Sequence, residues 1–296
     1  MNAQGRLAGR SALVTGASRG LGKVIAIAFG REGAAVAVVA RSETEWNERL
    51  PGTIHDTVAD IESTGGHAVA IGADLSHGEE VESAYARARD AVGPIDVLVN
   101  NAALTVPGRP PRPGENPTTR RASQPSAAPN APAAPFGSFL TFPLTGYQRH
   151  LAVGLFAAYR LMQLVLPEMI ERGRGSIVNI SSAAGLFPGE GPYEEAGTPG
   201  PIAYGGNKAA LHHLTQCVAI EMQAHGIGVN VLSPSAPIIT PGTMYSLPGA
   251  TDWASADDFA EATIRVALAE PTEVTGQLLW DQDVLRPQLG KRGWRG

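Results

Sequence analysis

The chain has 296 residues, 43% of them hydrophobic and 17% charged, which suits one large α/β domain or two small ones with a substantial core. A net charge of −5 argues against a nucleic acid or an anionic membrane as partner, and a single cysteine, Cys217, excludes an internal disulfide framework and fits a reducing cytosol. No uninterrupted apolar run reaches the length of a membrane span, and Met1 to Arg6 lead into a strand pattern without a signal-peptide core. The expectation is a cytoplasmic globular protein.

Along the first hundred residues, strand-like and helix-like segments alternate. Ser11–Thr15 is a short apolar run ending at Gly16, and Leu21–Arg31 reads as a helix. Ala35–Ala40 is a buried strand with Val36, Val38 and Val39 as its β-branched residues. A helix over Thr53–Ser63 closes at Gly65-Gly66, a strand follows at Ala68–Ile71, and a helix over Glu79–Ala91 stops at Gly93-Pro94. Ile95–Val99 is a fourth strand. Near-continuous apolar strands separated by helices predict a parallel sheet covered on both faces.

The composition then breaks. Nine of the chain's 23 prolines fall between Pro107 and Pro135. Residues 106–136 read as a largely disordered insertion within a single domain spanning 1–296, because so little apolar surface cannot offset the entropy of ordering. It leaves the sheet at the edge where α/β folds bind ligands, so a flap, a partner site and a tolerated excess all stay open. The α/β pattern resumes with a helix over Tyr147–Ile170, apolar nearly all round, which suggests a subunit interface as well as a core. Strands at Ser176–Ile180, Gly228–Leu232 and Gln277–Trp280 alternate with helices at Ala203–Glu221 and Asp257–Leu268. The fold class is therefore α/β: a single-domain Rossmann fold with a doubly wound parallel sheet of about seven strands.

Thr15-Gly16-Ala17-Ser18-Arg19-Gly20-Leu21-Gly22 sits between the first strand and the first helix. Glycines there permit a tight turn and close approach of backbone N–H groups to a pyrophosphate, to which the helix N-terminus adds its dipole. Gly16, Ser18, Arg19, Leu21 and Gly22 are thus candidate dinucleotide contacts. The second strand ends at Arg41, where an NAD-preferring protein would usually carry an acidic residue. Arg41 and Arg19 can pair with a ribose 2′-phosphate, so NADP(H) is preferred and NAD(H) stays open, with Glu43 as the residue against that choice.

Tyr204 and Lys208 stand at i, i+4 on one helix face. A lysine cation there favours the phenolate and is expected to lower the tyrosine pKa, making Tyr204 a candidate general acid or base. The Ser182 hydroxyl is placed to hydrogen-bond the reacting oxygen. A Tyr-x-x-x-Lys pair alone is a weak signal, but the motifs occur in order. Thr15–Gly22, Asp74-Leu75, Asn100-Asn101-Ala102, Ser182, Tyr204, Lys208 and Asn230 to Pro234 together resemble the short-chain dehydrogenase/reductase family, over nearly the whole chain outside the insertion. That resemblance implies hydride transfer between a nicotinamide and a carbonyl or alcohol carbon. Tyr204 would exchange the proton on oxygen, Ser182 would contact that oxygen, and Lys208 would bind the nicotinamide ribose. It places Asp74 and Leu75 near adenine, and adds Asn101, Ala102 and Thr240 to the cofactor contacts. It also implies a homodimer or homotetramer, and Leu50-Pro51-Gly52-Thr53-Ile54 hints at a hydroxysteroid-dehydrogenase-like subgroup.

Four departures stand out. Gly154 falls where the family carries a catalytic asparagine on its long helix; His150, one turn earlier, is read as a surface histidine rather than its substitute. Ser182 and Tyr204 are 22 residues apart, a wider spacing than the family's, and Glu190, Glu194 and Glu195 in the extra stretch are expected to face water. Pro234-Ser235-Ala236-Pro237 replaces a Pro-Gly turn, and Leu279-Trp280-Asp281 replaces a glycine-rich ending. The expected function is an NADP(H)-dependent oxidoreductase acting on a small apolar carbonyl or alcohol. Leu186, Phe187, Ile202, Met244, Tyr245 and Leu247 are candidates for the apolar pocket or, equally, for the core. The alternatives are non-redox chemistry at the same site, or a silent dinucleotide sensor.

Overall fold

Apolar, β-branched runs that must be buried on both faces form the strands of the chain, and a computed structural model describes residues 5–48, 50–105, 139–189, 201–246 and 251–286. The strands are β1 Ser11–Thr15, β2 Ala35–Ala40, β3 His67–Gly72, β4 Val97–Asn100, β5 Gly175–Ile180, β6 Ile227–Ser233 and β7 Leu278–Trp280. All pair in parallel in one sheet of order β3-β2-β1-β4-β5-β6-β7, the expected doubly wound arrangement. The switch point lies between β1 and β4, which puts the ends of both strands at one crevice.

The helices that cross over between strands are α1 Gly20–Arg31, α2 Ile54–Glu62, α3 Gly78–Val92, α4 Leu144–Arg172 and α5 Ile202–Met222. Two short helices missed in the sequence, α6 Pro241–Ser246 and α8 Asp281–Leu285, flank α7 Ala256–Leu268. Helix starts are where the side-chain chemistry places them: Thr53 and Asp56 form a capping box at α2, and Ser255 caps α7. Gly93, at φ +83°, ends α3 as the Gly-Pro signal required.

Alternating residues of each strand feed two cores. Ala12, Val14, Val36 and Val38 pack with Ile25 and Phe29 of α1, Ile61 of α2 and Phe259 of α7. Leu13, Ala37, Val39, Leu98 and Ile177 pack with Val81 of α3 and Leu161, Met162 and Val165 of α4. Helix α4 is the one described helix long and apolar enough to cross a membrane, and 44% of its most apolar window is buried against this sheet. Its composition serves the core on one side. On the other, Phe156, Tyr159 and Ile170 stay exposed. The insertion at 106–136 lies outside the described residues, as do Glu190, Glu194, Glu195 and Leu247.

The middle of the sheet carries a buried polar chain. Asn100 Nδ2 donates to Asn179 Oδ1 at 2.8 Å, Asn179 Nδ2 donates to Thr215 Oγ1 at 2.8 Å, and Thr215 Oγ1 donates to Leu211 O at 2.7 Å. Asn100 and Asn179 are register partners, so β4, β5 and α5 are joined side chain to side chain. Truncating Asn179 to alanine leaves Asn100 and Thr215 short of partners in a buried site. The expected cost is about 2–3 kcal/mol, a fall in melting temperature of roughly 5–10 °C by calorimetry.

Candidate active site

At the carboxyl edge of the sheet, the ends of β1, β2, β4, β5 and β6 surround a cleft of about 590 Å³. Its first wall is the turn between β1 and α1. Gly16 has φ +67°, and a Cβ there would stand 2.9 Å from Ala102 Cα. A Cβ at Gly22 would stand 2.4 Å from Gly16 O, so both positions accept only glycine without movement of the backbone. Asn101 holds this turn: Nδ2 donates to Thr15 O at 2.9 Å, while the N–H groups of Asn101 and Ala102 both donate to Thr15 Oγ1 at 3.0 Å. No side chain caps the start of α1 and its first turn carries no acidic residue, so its N–H groups are available to an anion.

Twelve of the fourteen residues expected at the site line this cleft: Gly16, Ser18, Arg19, Leu21, Arg41, Leu75, Asn101, Ala102, Ser182, Tyr204, Lys208 and Thr240. Gly22 lies behind the turn as its packing constraint. Asp74 stands beside the cleft rather than in its wall. Its Oδ1 accepts from the Ser76 N–H and hydroxyl, and Oδ2 is 3.9 Å from Arg149. Burial alone would raise its pKa, but the Ser76 donors and the charges of Arg41 and Arg149 bring it below the ordinary carboxylate value.

At the far end from Tyr204, Arg19 Nη2 donates to Ser42 Oγ at 3.0 Å and to Gly52 O at 2.9 Å, and Trp46 Nε1 donates to the same hydroxyl at 3.3 Å. Ser42 and Trp46, which no sequence motif marked, therefore line the cleft with Leu50, Arg19 and Arg41. Glu43 is not among them. Its carboxylate packs on Gly72 of β3, where a Cβ would come within 2.1 Å of Oε1, so it does not oppose an anion in the cleft.

At the near end, Ser182 caps the turn Ala183–Gly185, its Oγ accepting from the Ala184 N–H at 3.3 Å, and the same hydroxyl hydrogen-bonds the Tyr204 phenol. Lys208 is 2% exposed; its Nζ donates to Ile180 O at 2.6 Å and lies 5.7 Å from the Tyr204 ring centroid. The expected lowering of the tyrosine pKa is reversed. Burial of the phenol raises it and the Ser182 hydrogen bond offsets this only in part, while burial pushes Lys208 down to about 8. The ammonium is held by the Ile180 carbonyl.

The apolar lining of the cleft comes from other residues than the four expected ones whose side chains are described. Leu186, Phe187, Ile202 and Met244 do not bound the cleft, and Phe187 and Met244 face outward. Leu104, Val153, Pro201, Pro237 and Ile238 supply its apolar surface near Tyr204. The Pro234–Pro237 loop is fixed from below by Asp281, fully buried, whose Oδ1 accepts from the Ser235 N–H at 2.8 Å and hydroxyl at 2.5 Å. This is the role of the unusual ending after β7. His150 is half-buried, its ring packed against Phe142 at a centroid distance of 5.9 Å.

The model of the short chain dehydrogenase family matches residues 10–118 and 128–246. The ketoacyl reductase HetN of Nostoc sp. is 30% identical over 271 residues, 90% of this chain and 78% of its own length. The L-rhamnose 1-dehydrogenase (NAD(P)(+)) of a Sphingomonas species is 29% identical over 93% of this chain and 89% of its own. Among solved structures, a short chain dehydrogenase of Mycobacterium thermoresistibile superposes with a TM-score of 0.73 at 26% identity, covering 95% of this chain and 88% of that one. A metagenomic short-chain oxidoreductase in complex with NADP does so with a TM-score of 0.67 at 27% identity, covering 93% and 97%. This chain belongs to the short-chain dehydrogenase family and is an NAD(P)-dependent oxidoreductase.

His212, one turn after Lys208, meets Ser181 Oγ at 2.5 Å, and burial with the nearby Lys208 charge pushes its pKa from 6.5 down to about 4. The unfolded chain therefore takes up a proton here that the folded one refuses. Stability is full above pH 6.5 and is lost as pH falls from about 6.5 towards 4. Replacing His212 by glutamine is expected to flatten that acid limb in urea titrations run across the same window.

Proposed function

We propose that the protein is an NADP(H)-dependent oxidoreductase that interconverts a carbonyl and an alcohol on a small apolar substrate, with Tyr204 as the general acid and base. The reading rests on one observation above the others: Ser182, Tyr204 and the buried Lys208 converge on one end of a cleft whose other end carries two arginines. The residues fit a dinucleotide. The glycine turn offers uncapped N–H groups for a pyrophosphate, and Arg19 and Arg41 offer guanidinium donors where a ribose 2′-phosphate would lie. NADP bound to a structural relative lends weight to this choice.

When bound, the nicotinamide supplies or accepts the hydride. The chain's own groups do the rest. Tyr204 donates its phenolic proton to the carbonyl oxygen in reduction and takes it back in oxidation, and Ser182 donates a hydrogen bond to the same oxygen. Its raised pKa keeps Tyr204 protonated at neutral pH, the state that reduction requires. Lys208 orients the ribose, and its charge stabilises the phenolate as the proton leaves. Leu104, Val153, Pro237 and Ile238 exclude water and favour an apolar substrate. Self-association belongs to the same proposal, since Phe156, Tyr159 and Ile170 recur at helical spacing on the outer face of α4.

Titration with NADPH and NADH, followed by cofactor consumption against ketones, aldehydes and enones, tests the reading. NADPH is expected to bind at least about tenfold tighter, with Arg41→Ala removing most of that margin through loss of a charge-assisted contact. Tyr204→Phe is expected to abolish about 99% or more of turnover while leaving NADPH binding intact, in line with the usual worth of a general acid. Equal affinity for both cofactors would overturn the NADP assignment, and undiminished turnover by Tyr204→Phe would overturn the proton-transfer role.

A further inference from the structure

Between α4 and α5, directly behind the cleft, lies an exchange of side-chain space. Residues Ala152–Phe156 of α4 form a π-helical turn, with Gly154 buried at its centre. A π turn interrupts the i→i−4 ladder and leaves a carbonyl to be satisfied from outside the helix. His150 O meets that need by accepting from Asn207 Nδ2 at 3.0 Å. Asn207 is fully buried and immediately precedes Lys208 on α5. A Cβ on Gly154 would fall 2.0 Å from Asn207 Nδ2 and 3.0 Å from its Oδ1. Position 154 and the Asn207 amide thus claim the same volume, and the amide fills it from the opposite helix.

The other end of that amide faces a different situation. Asn207 Oδ1 is buried and accepts no hydrogen bond from any described residue. A buried amide is costly unless both of its ends are satisfied, because an unpaired polar atom has given up its hydration for nothing. Val153, which borders Gly154, lines the cleft itself, so the acceptor sits one residue behind the site.

We infer that Asn207 is a positioning residue of the proton-transfer site. Its Nδ2 fastens the opened turn of α4 to the helix that carries Tyr204 and Lys208, and its Oδ1 accepts a hydrogen bond from a water admitted behind Lys208. This rests on the proton-transfer reading of Tyr204 and Lys208 given above.

The test combines a stability cycle with kinetics. Gly154→Ala is expected to lower the melting temperature of the natural chain by about 5 °C or more, from overpacking, and that of Asn207→Ala by less than about 2 °C. Asn207→Ala, with Asn207→Ser beside it as a guard against misfolding, is expected to lose about tenfold or more in kcat on the best carbonyl of the panel, with the NADPH Kd unchanged. The transposed pair Gly154→Asn/Asn207→Ala returns the amide from α4 and is expected to regain most of that loss. Additive melting shifts would refute the shared volume. An unchanged kcat in Asn207→Ala and Asn207→Ser, or a transposed pair no faster than Asn207→Ala, would refute the positioning role. If Tyr204→Phe kept full turnover, the proton-transfer reading would fail while the melting cycle still reported on the pair.

Discussion

The side chain of Asn179 joins the centre of the sheet to the helix that carries the proton-transfer residues. Buried without exposure between Asn100 and Thr215, it has both ends of its amide engaged by protein groups. Strand pairing alone would leave α5 free to slide or rotate over the sheet, since apolar packing has little directional preference. The amide chain removes that freedom. Thr215 lies seven residues, two helical turns, from Lys208, so fixing one sets the rotation of the other. Lys208 is then pinned a second time by the Ile180 carbonyl at the end of β5. The same strand leads to Ser182, which is why hydroxyl, phenol and ammonium meet without a loop having to find its own conformation.

The cofactor end is organised by a comparable economy of parts. Thr15 Oγ1 receives two backbone N–H groups from the end of β4, and Asn101 returns its amide to the end of β1. The two strands flanking the switch point are therefore locked where they would otherwise splay. The glycines of the turn need no side-chain partners of their own, because the opposing strand holds their backbone. Arg19 follows a different logic: three carbonyl and hydroxyl acceptors from the Ser42–Gly52 segment hold its guanidinium at the rim.

Much of this was legible from the sequence, for identifiable reasons. The strands over Ser11–Thr15 and Ala35–Ala40 were readable because a parallel sheet buries both faces, and Thr53 marked the start of α2 because its capping partner Asp56 lies three residues on. The glycine turn and the Tyr204–Lys208 spacing are local patterns, so distance along the chain reports distance in space. What remained hidden depends on residues far apart in sequence. Nothing local marks Trp46 and Ser42 as cleft residues, or says that Glu43 between them turns onto Gly72. The sign of the Tyr204 shift depends on burial, which spacing does not reveal. Asn207 was legible as a letter between Gly206 and Lys208, but its engagement with His150, 57 residues earlier, required the packing of two helices. The proline-rich stretch, prominent in composition, lies outside the described residues.

The clamp between Asp281 and Ser235 has a consequence in time as well as in space. The loop it fixes borders the same cleft as Gly16, whose strand is the first of the sheet in chain order. During synthesis, the glycine turn and four strands can emerge while the wall opposite them is still missing. Closure of the cleft waits on a carboxylate some 46 residues beyond the hydroxyl it holds. Until β7 arrives just ahead of it, the outer edge of β6 has no partner strand, and an unpaired edge is open to wrong partners. A chain halted before Asp281 would carry most of the residues of the site without the carboxylate that fixes its Pro234–Pro237 wall.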